Sequence, residues 1–533
     1  MTDTKSNAMI YPRLCIAYFC QFAIWGSWAG ALGGYAGVIN LPDSQVGWLY
    51  AAIPLGAVIS PLFIGPIADR FFAAQKVIAL LHFIGGLCLA AAGWLCATGN
   101  QSFPLLMTLI LLSGVCFMPT IALINTIVFK HLPNPDKAPR VFIFGTIGWI
   151  AINLFIAAFC GGATTPYFFF VGGAVSIFLA VYSLSLPNTP PKGAPAPGEK
   201  SDALGLGAMK LFKNPTFAIF AVCIFFASIP ACNYFFPAQV TFLTQRGYPS
   251  PLALTTLNQF SEIFFMALLP FFVARIGLKR VLLIGMLAWV ARYVCFAQGG
   301  TLGFELALIG LILHGFCYSF LYVAAYMYAD KMAPTDIKAS VQSLMAFLLL
   351  GVGQVLGSVG YGKMAETYPP VIASDGSYSD GINDDVVHVL PLPPWNDVKR
   401  ENSAWKYLDL GNTVTQMMSK SKDEQVNRHL GTDVDANKDN VITPDELNNI
   451  TESLVYGGKT YKPGVLKDIF AQIAKKVDSK DGSVTHAQWM EVQAKNWKMI
   501  WYLPAACISV FFLIFLALGK DPVPAEATGK KEE

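Results

Sequence analysis

The chain has 533 residues, 54% of them hydrophobic and only 13% charged, with a net charge of +3. A soluble domain carries about 25% charged residues, so this composition excludes an ordinary soluble protein and belongs to a chain that lives in lipid. The basic residues are dispersed over short loops, so the net charge says nothing about nucleic acid, and no nucleic-acid partner is expected.

In chain order, MTDTKSNAMIYPRL has an acidic residue and no basic cluster leading into a cleavable apolar core. It reads as a cytoplasmic leader to a retained helix. Apolar stretches long enough to span a bilayer, about 20 residues each, follow at 14–39, 46–66, 77–97, 104–128, 141–162, 166–186, 215–243, 252–274, 281–299, 303–328, 340–364 and 499–519. Nothing alternates like a barrel strand, so all twelve are predicted to be helices. The eleven cysteines lie mostly inside these runs and read as small buried hydrophobes, not as a disulfide or metal framework.

Loop charges orient the spans. Arg70 and Lys76 follow span 2, Lys130, Lys137 and Arg140 follow span 4, and Lys192, Lys200, Lys210 and Lys213 lie between spans 6 and 7. Arg275, Lys279 and Arg280 follow span 8, and Lys331 and Lys338 follow span 10. The alternate loops carry almost none, Arg246 being the exception. Both termini are therefore expected in the cytoplasm and the protein in the cytoplasmic (inner) membrane. Composition divides the chain into a six-helix bundle 1–186, a Pro/Gly-rich linker 187–214, helices 7–11 over 215–366, an insert 367–497, helix 12 at 498–519 and a tail 520–533.

Span 2 ends in GPIADRFFAAQK and span 8, six helices later, in VARIGLKR, a weak internal symmetry expected of a transporter built from repeats. The form Gly65-x-x-x-Asp69-Arg70 resembles the signature loop of the major facilitator superfamily; the second copy lacks the acidic residue. Asp69 and Arg70 are the expected conformational residues.

Span 8 holds a carboxylate, Glu262, in PLALTTLNQFSEIFFMALLPFFVA, and span 9 a guanidinium, Arg292. A charge at the centre of a membrane helix costs about 2.5–3.5 kcal/mol and normally faces a cavity or a partner. Desolvation in general favours the neutral form of a carboxyl group, which suits a proton carrier. Asn258 and Gln259 extend a polar stripe from Glu262. The alternative is that Glu262 pairs with Arg292 and ties spans 8 and 9 together. In span 7, Pro230 and Pro237 bracket Asn233, the pattern of a broken helix at a transport site. His314, Tyr318 and Tyr322 share one face of span 10, Gln21 and Trp25 one face of span 1; Asn125 lies in span 4, Thr146 and Trp149 in span 5. Amides, hydroxyls and rings from both halves describe a site for a flat, hydrogen-bonding molecule.

The stretches CQFAIWGSW, MPTIALINTI, FGTIGWI, LFKN, QFSEIFF, LAWVARY and DKMAPTDIKASVQ, in this order, resemble the nucleoside:proton symporter family. The resemblance implies nucleoside contacts for Gln259 and Glu262, with Thr146 and Trp149 beside them, Asn233 at a family amide, and His314 and Tyr318 at family aromatic positions. Three positions depart from the family pattern. Phe142 stands where it has arginine, Ser319 where it often has aspartate, and Phe236 where it has a second span 7 amide. These departures bear on substrate choice and on the route of the proton.

Within the insert, Asp435-Ala-Asn437-Lys-Asp439-Asn440-Val441-Ile442-Thr443-Pro-Asp-Glu446 fits an EF-hand loop: oxygen ligands from Asp435, Asn437 and Asp439, the Val441 carbonyl, Thr443, and a glutamate, Glu446, at position 12. A mate, VDSKDGSVTHAQ at 477–488, aligns Gly482 and Val484 with loop positions 6 and 8 but lacks the acidic anchors. The expected cofactor is Ca2+, in an extracytoplasmic insert.

The reading is an all-α membrane protein, two six-helix bundles of the major facilitator fold with a small EF-hand-like insert between helices 11 and 12. It imports nucleosides with a proton, as a monomer in the lipid bilayer, and is no enzyme. The rivals are a same-fold carrier of another polar solute, such as a sugar or nucleobase, and a calcium-binding receptor without transport.

Overall fold

The computed structural model describes residues 3–39, 41–99, 102–133, 138–191, 206–246, 248, 250–302, 304–369 and 494–523. Between them it describes 441–448, 467, 470–471, 473–475, 479–485 and 488, and backbone alone at 377–378, 387–388, 454–456 and 459–461. The side chains of 3–9, 38, 61–71, 206, 232–233, 300–302 and 336 lie outside that description.

Apolar composition with few interior charges makes helix the economical backbone, because each N–H and C=O is satisfied within the segment. The helices are α1 (Asp3–Ala29), α2 (Leu32–Val38), α3 (Asp43–Phe71), α4 (Ala74–Ala97), α5 (Phe103–His131), α6 (Ala138–Phe159) and α7 (Tyr167–Ser183). After residues 192–205 come α8 (Pro215–Ser228), α9 (Cys232–Gln245), α10 (Pro251–Leu254), α11 (Thr256–Leu302), α12 (Phe304–Ile312), α13 (His314–Cys317) and α14 (Ala324–Met332). Then follow α15 (Lys338–Ala346), α16 (Gly353–Thr367), the short α17 (Pro444–Asn448) and α18 (Trp497–Leu518). Among the described residues, seven helices are long and apolar enough to cross a membrane, or eight if the bent pair Gly207–Lys213 and Pro215–Ser228 is one span.

Burial separates two cores. One is built from Leu14 to Leu186 with Val240 and Leu252 joining it; the other runs from Ala208 to Phe515. α18 supplies Trp497, Trp501 and Ile508 to the second core, so the helix after the insert belongs to the C-terminal half.

Three irregularities shape that half. α11 breaks at Gly277, whose φ of 80° is open to glycine and strained for other residues. The chain folds back there: Arg292 donates to Asn258 at 3.0 Å, whereas 34 residues of straight helix would hold them about 50 Å apart. α8 and α9 are one apolar stretch broken at 229–231, and the hydroxyl of Tyr293 donates to the freed carbonyls of Pro230 and Ala231. π-helical turns at Tyr318–Val323 and Phe347–Val352 interrupt the spans that contain α13 and α16; such turns gather at functional sites.

The halves are tied at the end where α3 begins. Asp43 pairs with Lys495, and the Ser44 N–H donates to the Glu366 carboxylate at 3.1 Å. Gln245 accepts from the Lys495 N–H at 3.1 Å and the Trp497 indole at 2.9 Å, fixing the segment that enters α18. The Lys495 and Asp43 side chains keep only 10% and 21% exposure, so the pair is worth at least about 0.5–1 kcal/mol, the range of an exposed one. Lys495→Ala is accordingly expected to speed hydrogen exchange over 43–47 roughly two- to fivefold by loosening this end. Unchanged exchange would show that the pair is not a latch.

Candidate functional site

The N-terminal half contributes an aromatic wall. Gly148 of α6 lies against α1 so closely that a Cβ there would stand 2.2 Å from the Phe19 carbonyl oxygen. That approach sets Trp149 edge-on to Trp25, ring centroids 5.5 Å apart, and Trp25 packs on Phe117 at 6.1 Å. Thr146, half-buried, is three residues before Trp149 and so shares its face. Tyr18 donates to the Asn125 amide oxygen at 3.0 Å and packs on Phe142 at 4.9 Å. Trp149 also meets Phe236 of α9 at 5.8 Å, a ring contact between the halves.

The C-terminal half contributes a polar wall. At Gly315 a Cβ would lie 2.3 Å from the Ser261 carbonyl oxygen. The Gly315 N–H donates to the Ser261 hydroxyl at 3.1 Å, and that hydroxyl donates to the Ile312 carbonyl. This junction brings the next residues, Glu262 and His314, together, with Oε2 of Glu262 3.7 Å from Nε2 of His314. Phe260, Phe264 and Phe271 form the outer stripe of α11, each more than half exposed. Glu262 is two residues from Phe260 and Phe264, hence about 160° round the helix from each. Its 18% side-chain exposure therefore opens to the interior of the bundle and not to lipid.

Arg292, fully buried, donates to Nδ1 of His314 and to Asn258 Oδ1, with its guanidinium carbon 3.7 Å from the centre of the Phe235 ring. Asn258 passes the chain on to Gln239, donating to its amide oxygen at 3.1 Å. The amide oxygen of Gln259, the amide nitrogen of Gln239 and the hydroxyl of Ser319 are buried without a hydrogen-bond partner among the described residues. Each such atom costs about 1–3 kcal/mol if left unmet; Gln239 is bonded to Asn258, the chain neighbour of Gln259, and unmet polar atoms on these two helices suit a polar ligand. His314, Tyr318 and Tyr322 stack along their helix at 6.3 and 5.8 Å, and Tyr322 donates to the Ser228 carbonyl at the break between α8 and α9.

Residues 9–377 match the family of nucleoside H+ symporters. The chain belongs to that family. YegT of Escherichia coli (strain K12), provisionally named a nucleoside transporter, is 37% identical over 364 residues, covering 66% of this chain and 84% of its own length. The xanthosine permease of the same strain is 31% identical, with 67% and 88% covered. The crystal structure of the nucleoside transporter NupG superposes with a TM-score of 0.61 at 28% identity, covering 70% of this chain and 93% of NupG. The symporter is thus an all-helical membrane transporter of the major facilitator type, and no enzyme.

In this symporter, Trp25 and Trp149 meet within the N-terminal half, Glu262, His314 and Tyr318 within the C-terminal half, and Phe236 touches Trp149 between them. Gln21 is fully buried inside the N-terminal half, donating to Thr120 at 2.8 Å and meeting Nε2 of His82 at 2.9 Å. The side chains of Asn233, Asp69 and Arg70, and the whole of Asp435, Asn437 and Asp439, lie outside the described residues. Sequence reasoning passed over Gln239, although an amide inside the apolar run PAQVTFL is a visible signal. It also read Phe236 only as a lost amide, where the ring extends the Trp149 wall.

In the insert, Val441 pairs with Thr485 and Ile442 with Val484, antiparallel. Thr443 and Glu446 form a capping box, both the N–H and hydroxyl of Thr443 donating to Glu446 Oε2 at 2.9 Å. Thr485 and Gln488 repeat it at 2.9 and 3.0 Å. Gly482 takes φ 78°. Asp481 accepts from the hydroxyl and N–H of Ser483 and from the Ser479 hydroxyl, which lowers its carboxyl pKa to about 2. Glu446 Oε1 is buried without a hydrogen bond, and among the described residues no three metal-binding side chains gather.

Proposed function

We propose that this symporter imports nucleosides together with protons by alternating access, through twelve spans arranged as two six-helix halves. The observation that carries the reading is the placement of Glu262: opposite the lipid-facing stripe of α11, open to the bundle interior, and touching His314. The base of a nucleoside would lie against the rings of Trp149, Trp25 and Phe236, and its polar edge or ribose hydroxyls would meet Gln259, Glu262 and Gln239. Tyr318, Thr146, Asn125 and Asn233 complete the substrate site, and Asp69 and Arg70 serve the conformational change. Glu262 takes up a proton from one side and releases it to the other as the halves rock. Competition for uptake tests the substrate class. Uridine, inosine or xanthosine should displace labelled nucleoside while hexoses do not; displacement by hexoses alone would assign the site to sugars.

The insert at 367–497 is proposed as a paired EF-hand unit holding one Ca2+ through Asp435, Asn437, Asp439, the Val441 carbonyl, Thr443 and Glu446. Three features support this: the pairing of Ile442 with Val484 at position 8 of each loop, left-handed Gly482 at position 6 of the mate, and an uncommitted Glu446 oxygen. Extracellular modules of this type bind at about 10⁻⁴–10⁻³ M. Calcium at 10 mM is expected to stabilise the insert of the full-length protein by about 1.4–2.7 kcal/mol, following the ten- to hundredfold excess over Kd. Glu446→Ala should remove most of that gain. Equal thermal shifts in both proteins would place the ion elsewhere.

A further inference from the structure

Arginine has donors and no acceptor, so the contact from Arg292 to Nδ1 of His314 is possible only if that nitrogen carries no proton. The imidazole is then the Nε2–H form. Nε2 is the atom that faces Oε2 of Glu262, at 3.7 Å. The ring thus stands between a permanent buried cation and a carboxyl group that opens to the interior of the bundle.

The surroundings hold it there. Phe235 of α9 stacks on the imidazole at 5.8 Å, Tyr318 at 6.3 Å, and Trp289 meets it edge-on at 6.3 Å. Gly315, jammed against Ser261, fixes the backbone on one side. Among the described residues, the titratable and charged groups facing His314 are Glu262 and Arg292 from α11 and Tyr318 from its own span, with Cys317 beside Arg292; α9 presents the ring of Phe235.

We propose that His314, held as a single tautomer by Arg292, is a positioning residue for the proton step: it presents Nε2–H to the charged form of the Glu262 carboxyl and relays to it the influence of the buried guanidinium. This rests on the assignment of Glu262 as proton carrier. A donor to a charged carboxylate favours that form, so His314 sets the pH at which Glu262 releases its proton without itself touching substrate. On closure, the 3.7 Å separation need shorten by less than 1 Å to become a hydrogen bond.

The test uses the full-length protein in proteoliposomes, with uptake driven by a constant pH difference while the absolute pH is varied. His314→Phe keeps the ring packing and removes the donor; its half-maximal point should move to higher pH by about one unit, the effect of about 1.4 kcal/mol. His314→Gln, with an N–H donor on a chain of similar reach, should return the profile toward wild type. A loss of rate in His314→Phe with the profile unmoved would overturn the inference and leave the transport reading intact. Gradient-driven accumulation that persists in Glu262→Gln would instead remove the assignment on which the inference rests. Should neither His314 variant fold, 15N spectra of histidine in the wild-type protein decide: the Nε2–H tautomer is expected for His314, and an Nδ1–H or doubly protonated ring would overturn it.

Discussion

Glu262→Gln is expected to reduce gradient-driven accumulation to about onefold while nucleoside exchange across equal solutions continues. One pH unit stores about 1.4 kcal/mol per proton, enough for tenfold accumulation at one-to-one coupling. The wild-type protein should approach that ratio. Glutamine preserves size and a hydrogen-bonding amide in place of the carboxyl group that faces His314, so the site can still bind and reorient. It carries no exchangeable charge, so reorientation is no longer tied to proton movement. Tracer accumulation and counterflow in the same vesicles separate the two: loss of both would make Glu262 a binding group, and retention of both would remove it from coupling.

The largest structural effect is expected at Gly148. Its missing Cβ allows α6 to rest on the Phe19 carbonyl of α1, a contact at 2.2 Å for any other residue. Overpacking against side chains costs about 1–3 kcal/mol; the Phe19 backbone can yield only if a whole helix shifts, so Gly148→Val, with two further methyl groups, should exceed that range. Most of the variant should elute as aggregate after detergent extraction. Gly148→Ala should fold, with a lower melting temperature and a raised KM, because Trp149 and Thr146 ride on the displaced helix. Wild-type melting in both variants would mean that α1 and α6 do not pack this closely.

Much of the fold is legible in the sequence because lipid imposes a simple rule: apolar stretches of about 20 residues must be helices. Division into two halves is an expectation from the Pro/Gly linker; the buried residues gather in two cores, with Phe236 packed against both. Side-chain partners are less legible. Glu262 and Arg292 are the deep charges of spans 8 and 9, and direct pairing between them is the alternative that the sequence leaves open. The distance between two helices in space is not written in either, and His314 from a third span comes between, because Gly315 lets its helix settle on Ser261. Gln21 illustrates the converse. Its position one turn from Trp25 suits a cavity face, but His82 and Thr120 engage both ends of its amide within the N-terminal half. The polar residues nearest a site are visible as residue types; which are spoken for depends on contacts across helices.

The most direct measurement is proton movement that depends on nucleoside. Purified protein is placed in proteoliposomes containing a pH-sensitive dye, with no gradient imposed, and uridine, inosine or xanthosine is added outside. Coupled import predicts acidification of the lumen that saturates with nucleoside and is absent in Glu262→Gln. Nucleoside entry with the lumen pH unchanged would contradict the account.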